Sequence, residues 1–533
     1  MGTALEKEGE AWTTAVEDVA LHVAAVEGTE STTVPILDSI KANPKVILYC
    51  LLMDIGPMIY GYDSIIVGVC TAMPAFLQTY GVLLGHMYVL PSLWIALWNA
   101  MTQLGAMAGA AATGSLLDRF GRRLAMVVGG IVCAISIGIM YASDRVSTLE
   151  GRRGAFLAGK LLLGFSLGVF QVTSVSYMSE ISPPRIRGPL LSTFSFVLIL
   201  GQLIAAAIVG AQIVIPNASS YRVALASQWA FAGWAVVVGI IIPESPAYYL
   251  KRGNEDAARK VFMRLHQPEH VEANLSALAA TLEHERLVSQ ASRDVTFAEL
   301  FKGTNFRRTR IVFFINIVQQ ALGVTFIANS TYFLILAGMA PSNSINVLII
   351  GLCASLVANV ASWFLMSTVG RRRMIMANTG IVAVIWTTIA IAGFYTSSQA
   401  ALWYIGVMIN LVILFFHLGV GGATPVISGE TPSIRLRGKS QSLGFMAAGL
   451  FSWAFNFFVP YMFNVDEGNW GAKTGFFFAG LCVISVAVMW FEIPEMNNRT
   501  YAEIDRMFEM KLPTRKFRSY KAPATNSTDD HTA

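Results

Sequence analysis

The stretch Gly114-Ser-Leu-Leu-Asp118-Arg119-Phe-Gly121-Arg122-Arg123 decides how the rest of the chain is read. Charged and glycine positions crowd into one short segment with long apolar runs on both sides. The segment has an echo: Trp363 to Arg373 again sets Gly370-Arg371-Arg372 between two apolar runs, 249 residues after Gly121. A second pair keeps the interval. Glu180-Ile-Ser-Pro-Pro-Arg185-Ile-Arg187-Gly188 returns as Glu430-Thr-Pro-Ser-Ile-Arg435-Leu-Arg437-Gly438, 250 residues on. Two marker loops in the same order at nearly constant spacing indicate duplicated halves.

Of the 533 residues 54% are hydrophobic and only 13% charged, and the mean hydropathy is +0.56. A soluble domain carries about a quarter charged residues, so the composition is that of an integral membrane protein. The charges fall at the two ends of the chain, in the middle, and in short loops. Cys50, Cys70, Cys133, Cys353 and Cys482 all sit in or beside apolar runs, which implies neither a disulfide framework nor a thiolate metal site. No cofactor is called for. The polar first 45 residues lack the basic-then-apolar layout of a cleavable signal peptide, so insertion is expected to rely on the first helix. The net charge of +5 is spread along membrane loops and does not suggest a nucleic-acid partner.

A spanning helix needs about 20 mainly apolar residues. Twelve such runs are predicted, at 46–70, 88–113, 124–142, 155–178, 189–213, 224–242, 311–337, 345–366, 374–394, 402–427, 440–463 and 474–492. The expected fold is therefore an all-α membrane protein, twelve transmembrane helices in two six-helix pseudo-symmetric halves. Its divisions are an N-terminal tail (1–45), a first half (46–250), a linker with short amphipathic helices (251–310), a second half (311–492) and a C-terminal tail (493–533). Basic residues fix the expected orientation. With the N-terminus inside, the outer loops hold only Arg145, Arg152, Arg153, Arg222 and Lys473, and Lys160 lies within a helix. The other 32 of 38 basic residues fall inside, which makes both termini cytoplasmic. Asn217-Ala-Ser219 then lies outside, a possible glycosylation site.

The Gly-Arg-Arg loops have two readings. The arginines can simply hold loops in the cytoplasm. Alternatively Arg122, Arg123, Arg371 and Arg372 pair with Glu180, Glu244, Glu430 or helix ends, and Asp118 accepts from an arginine or a helix N-terminus, with Arg187 and Arg437 close by, as an inner gate that closes one face and breaks when it opens.

At these loops the sequence resembles the major facilitator superfamily, and specifically its sugar porter family. The features that carry the resemblance are Gly61-Tyr62-Asp63, the DRFGRR loop, Glu180 with Arg187-Gly188, and Pro243-Glu244-Ser245-Pro246. Further along are Gln319-Gln320 with Gly323, Pro494-Glu495, Arg499-Thr500 and Glu503-Ile504. Finer features are similar to the fungal α-glucoside (maltose-type) permeases: Gln171, Ser176-Tyr177, Tyr332-Phe333, Ser362-Trp363 and the Pro460-Tyr461-Met462 to Lys473 stretch. The resemblance implies sugar import by alternating access, driven by protons, in a plasma-membrane protein that works as a monomer in the lipid bilayer.

Asp63 lies mid-helix, where a charge costs several kcal/mol unless paired or hydrated. It is either a fixed structural salt bridge or a carboxylate that takes up and releases a proton in each cycle; the resemblance implies the latter. The usual partner is an arginine on the fourth helix. Counting back twenty residues from Glu180 reaches Lys160 instead, and a desolvated lysine can give up its proton where arginine cannot. Asp54 reads as a structural or hydrated charge. A sugar site needs groups that donate and accept, plus an aromatic face. Gln319 and Gln320 offer adjacent amides, Gln202 matches a further family ligand, and Trp453 and Asn456, three apart, share a helix face. Departures from the family pattern stand at Ser195, Ser355, Pro425, Ser367 and Ala247. An uncoupled facilitator is the alternative within this fold. A transporter-like nutrient sensor is another, disfavoured by a short tail after Met510. An enzyme is excluded by the lack of a nucleotide loop, metal cluster or nucleophile triad.

Overall fold

A computed structural model of the chain describes residues 36–520 apart from 72, 214, 266–270, 292–296, 397, 433–435, 497–500 and 518–519. In lipid every backbone N–H and C=O must be satisfied within the segment, so the apolar runs fold as helices. Among the described residues eleven helical runs are long and apolar enough to cross a membrane. One of them, Ser92–Arg145, has 54 residues. At 1.5 Å per residue it would reach about 80 Å, far beyond a hydrocarbon core of about 30 Å. It breaks at Gly121, with φ 85° and ψ 177°, and so supplies two spans. The fold therefore has twelve: α1 (Pro44–Cys70), α2 (92–120), α3 (122–142), α4 (Leu149–Ile181), α5 (Pro184–Gln212) and α6 (Ser219–Ile241) in the first half. The second half holds α7 (Gly303–Ala328), α8 (Pro341–Thr368), α9 (Arg371–Ala392), α10 (Gln399–Glu430), α11 (Arg437–Phe463) and α12 (Gly475–Glu492).

Two stretches depart from expectation. α7 begins at Gly303, inside the stretch assigned to the linker, and is interrupted at Gly323 before a further turn at Ser330–Leu336. Ahead of α2, residues expected to open a span instead form a hairpin of β1 (Val82–Leu84) and β2 (Met87–Val89). Gly85 at its tip has φ 62°. The hairpin and the Gly-Arg-Arg loops lie at opposite ends of α2, and these ends define a hairpin face and a basic face. In the linker, Glu255–Leu265 and Val271–Ala291 are helices. Ala258, Phe262, Val271 and Leu275 give them a small core of their own.

Small residues set the closest packing. On α2 and α4 a Cβ at Gly105 would lie 2.2 Å from the Leu161 carbonyl, and one at Gly164 2.2 Å from that of Thr102. Such contacts bring helix backbones together where lipid offers no hydrophobic drive. The halves meet along α2 with α11 and α5 with α8. Met107 touches Gly449, and Ile345 lies over Gly210.

Candidate functional site

Between the halves lies a cavity of about 320 Å³, within the range that holds small ligands. The first half contributes Tyr60, Asp63, Gln103, Lys160 and Gln202 to its wall. The second half contributes Gln319, Gln320, Asn359, His417 and Asn456. One wall therefore carries charge, and the facing wall carries mainly amides that both donate and accept.

The charge is a single pair. Lys160 Nζ on α4 donates to both carboxylate oxygens of Asp63 on α1, at 2.7 and 2.8 Å. Both side chains are 2% exposed. Each ion alone would lose several kcal/mol of hydration here, and mutual contact offsets most of that loss. Beside the pair, Gln202 Nε2 donates to Ser64 Oγ at 3.0 Å, tying α5 to α1. Asp54 is buried separately and accepts from Thr193 Oγ1 at 2.7 Å.

The residues assigned to the sugar divide in two. Gln319, Gln320 and Asn456 reach the cavity, and Asn456 Nδ2 also donates to the Ser452 carbonyl at 2.8 Å. Trp453 does not line it. Its ring stacks on Phe457 with centroids 6.2 Å apart, so the aromatic contact assigned to it is withdrawn. Three residues of separation offset the two side chains by about 60° round the helix; Asn456 lines the cavity and Trp453 does not. Of the departures, Ser195 lines the cavity, whereas Ser355 is buried and donates to the Gly351 carbonyl at 2.8 Å. Tyr60, Gln103, Asn359 and His417 were overlooked. Each is a polar side chain inside an apolar run, a signal that itself points to function.

The marker loops form two copies of one joint. At Gly121 the backbone enters a region open to glycine alone. The Glu244 carboxylate sits where a Cβ would be, 2.3 Å away, and accepts the Arg122 and Arg123 N–H groups at 2.8 and 3.1 Å. A carboxylate thus caps the start of α3, where the helix dipole favours negative charge. In the second half Gly370 has φ 91°, and Glu495 takes the Arg371 N–H at 3.2 Å. The side chains repeat as well. Arg122 bridges to Glu180 at 2.6 Å and Arg371 to Glu430 at 2.8 Å. Arg123 donates to the Ile240 carbonyl and Arg372 to that of Trp490, both at 2.7 Å. Glu495 was quoted as a family feature but not recognised as the partner of Glu244.

The expected pairs Arg122–Glu180 and Arg371–Glu430 are present, and each joins helices within one half. Asp118 is exposed and has no ion-pair partner among the described residues. Among the described residues Arg187 reaches only the Ser182 carbonyl, at 3.4 Å. The side chain of Arg437 lies outside the described residues. Asn217 is exposed in the loop between α5 and α6. Several hydrogen bonds between the halves lie at the hairpin face. Leu90 N–H donates to Tyr332 Oη at 3.2 Å, and Asn464 Nδ2 donates to the Leu90 carbonyl at 2.9 Å. Asp466 takes the Ser92 N–H at 2.7 Å and the Ser92 hydroxyl, capping α2 from the other half.

Two six-helix halves, stitched at one face around a central polar cavity, define a transporter of the major facilitator class rather than an enzyme. The model of the Sugar (and other) transporter family matches residues 49–508, and the chain belongs to that family. It is 34% identical over 470 residues to the MFS transporter fmqE of Aspergillus fumigatus, covering 87% of this chain and 86% of that one. It is 30% identical over 516 residues to the maltose permease MAL61 of Saccharomyces cerevisiae, covering 95% and 82%. Among solved structures, the xylose transporter XylE from E. coli in an inward open conformation superposes with TM-score 0.69 at 20% identity, over 87% of this chain and 99% of that one.

Proposed function

We propose that the protein imports a sugar of the α-glucoside class together with protons, working as a monomer in the plasma membrane with both termini in the cytoplasm. One observation carries the reading: a buried Asp63–Lys160 pair in the wall of a cavity whose other wall is lined with amides. The names of the yeast maltose and general α-glucoside permeases support the substrate class. Amides of Gln319, Gln320 and Asn456 would bridge sugar hydroxyls, each acting as donor and acceptor. Asp63 would take a proton when it parts from Lys160 and faces water. It would release the proton when the lysine closes on it again. The neutral carboxyl avoids carrying a bare charge through a low-dielectric centre. Sugar-induced alkalinisation of the medium around cells expressing the chain, screened over mono- and disaccharides, tests this. Uptake without proton movement at any sugar would overturn the coupling.

A second reading is favoured by the geometry of the same pair. Lys160 holds both carboxylate oxygens, as a permanent structural bridge would. The protein would then be an uncoupled facilitator, taking up sugar with no proton movement at any external pH.

A further inference from the structure

We propose that the protein holds an anionic lipid headgroup at the basic face, on the guanidinium groups of Arg372 and Arg515 around Trp490. Both cations converge on one indole: Arg372 Cζ lies 5.7 Å and Arg515 Cζ 5.0 Å from the Trp490 ring centre. Arg515 also lies 5.9 Å from the Phe491 ring. Their charges act on one another directly. Like charges gathered round one ring are stabilised by an anion close to both.

Neither arginine has a carboxylate within ion-pair distance among the described residues, whereas their neighbours Arg308, Arg310 and Arg371 are bridged to Asp505, Glu492 and Glu430. The carboxylate of Glu495 attracts Arg372, yet it makes no ion pair with it and takes the Arg371 N–H at the start of α9. Arg372 donates only to the Trp490 carbonyl, and its Nε is buried without a partner.

The position specifies lipid. Val483, Ile484, Trp490 and Phe491 are exposed along α12, with Phe491 at 66%. An apolar helix face this open in a spanning segment meets acyl chains, and its last turn sits at headgroup depth, where tryptophan concentrates. Arg515 is held at that depth rather than reaching it by chance. Thr514 donates to the Phe491 carbonyl at 2.7 Å, Arg307 donates to the Leu512 carbonyl and Thr514 Oγ1 at 2.7 Å each, and Phe517 is fully buried. Basic pockets at this depth take phosphate-bearing headgroups of anionic lipids.

The test uses the full chain purified from bilayers of phosphatidylcholine containing phosphatidylserine, with retained phosphatidylserine counted by native mass spectrometry. Removing one cation near a charged surface should lower retention about fivefold. Arg515→Gln is expected to show that loss, Arg515→Lys to restore most of it, and Lys260→Gln, an exposed cation in the linker, to leave retention unchanged. Equal retention by wild type and Arg515→Gln would overturn the site. So would displacement of the lipid by inorganic phosphate alone, which would mark a site for a soluble anion.

Discussion

The two halves of this transporter share a joint but not a chemistry. In each, a glycine with positive φ lets a carboxylate, Glu244 or Glu495, settle on the first turn of a helix. In each, an arginine then bridges to the glutamate ending another helix of that half. The polar interior follows no such symmetry. Twenty residues before Glu180 stands Lys160, paired with Asp63. Twenty before Glu430 stands Asn410, whose amide donates to the Val347 carbonyl at 2.6 Å. Duplication copied what makes a half rigid, whereas charge stayed in one half and neutral hydrogen bonding in the other. Rigid, matched halves can rock as bodies, and the unmatched faces between them meet the cargo.

The largest effect should come from breaking the unshared element. Lys160→Met strands Asp63 in a site where both side chains are 2% exposed. Removing one partner of a buried pair costs about 3–5 kcal/mol. Little folded, active protein is expected, and a thermal melt of the purified variant checks this. Asp63→Asn in the same background removes the stranded charge and should recover the fold. Asp63→Asn alone should keep sugar exchange in reconstituted vesicles while losing accumulation against a gradient. The corresponding Asn410→Ala should cost far less, because no charge is exposed by it. If Asn410→Ala and Lys160→Met were equally damaging, the contrast between the halves would collapse.

Next in size is a test of the shared element. Gly121→Ala and Gly370→Ala force a Cβ into a backbone region that disfavours it, at about 1–3 kcal/mol each. The new atom would lie 2.3 Å from Glu244 and 2.7 Å from Glu495. Melting temperatures of the two variants should fall together. A large fall in one and none in the other would show that the joints only look alike.

How much of this could be read from the sequence depends on which physical signal each feature leaves. The twelve spans were legible because length and apolarity follow directly from bilayer thickness. The joint was legible because it recurs at 249 and 250 residues. Asp63 and Lys160 stood out because charge is expensive in an apolar run. Trp453 was misplaced for the converse reason. A helix facing lipid on one side and protein on the other is apolar all round, so the pattern does not mark which face is inward. The hairpin at Val82–Val89 was not read, and its last two residues, Tyr88 and Val89, were counted in the expected span at 88–113, since a short apolar run reads the same as strand or helix. Glu495 escaped notice because a cap is defined by where its carboxylate lands, not by its neighbours in the chain.

A smaller effect is expected at the one described contact where a carboxylate of one half caps a helix of the other. Asp466→Ala leaves the Ser92 N–H and hydroxyl without their acceptor from α11's following loop. Hydrogen bonds to a charged group contribute about 1.5–3 kcal/mol. The lower figure corresponds to a roughly tenfold shift toward states open at the hairpin face. A cysteine introduced at Ser452 in the cavity should then react faster with a membrane-impermeant thiol reagent added at that face. Unchanged labelling would mean that Asp466 closes nothing.

The smallest effect separates ties within a half from ties between halves. Glu180 and Glu430 are 17% and 20% exposed and bridge Arg122 and Arg371 inside their own halves. Bridges with partial solvent access contribute about 0–1 kcal/mol. Glu180 has slightly more to lose, since it also accepts from Ser176 Oγ at 3.0 Å and its arginine is 5% exposed against 18% for Arg371. Glu180→Gln should therefore lower the melting temperature a little more than Glu430→Gln, and the double variant should show the sum. Because a rocking half carries both ends of each bridge with it, neither substitution changes the energy difference between states open at one face or the other. Labelling of a cavity cysteine from the basic face and from the hairpin face should keep the same ratio in the double variant. A ratio that moves while the melt stays put would restore these pairs as a gate and overturn the division drawn here between joints inside the halves and contacts across them.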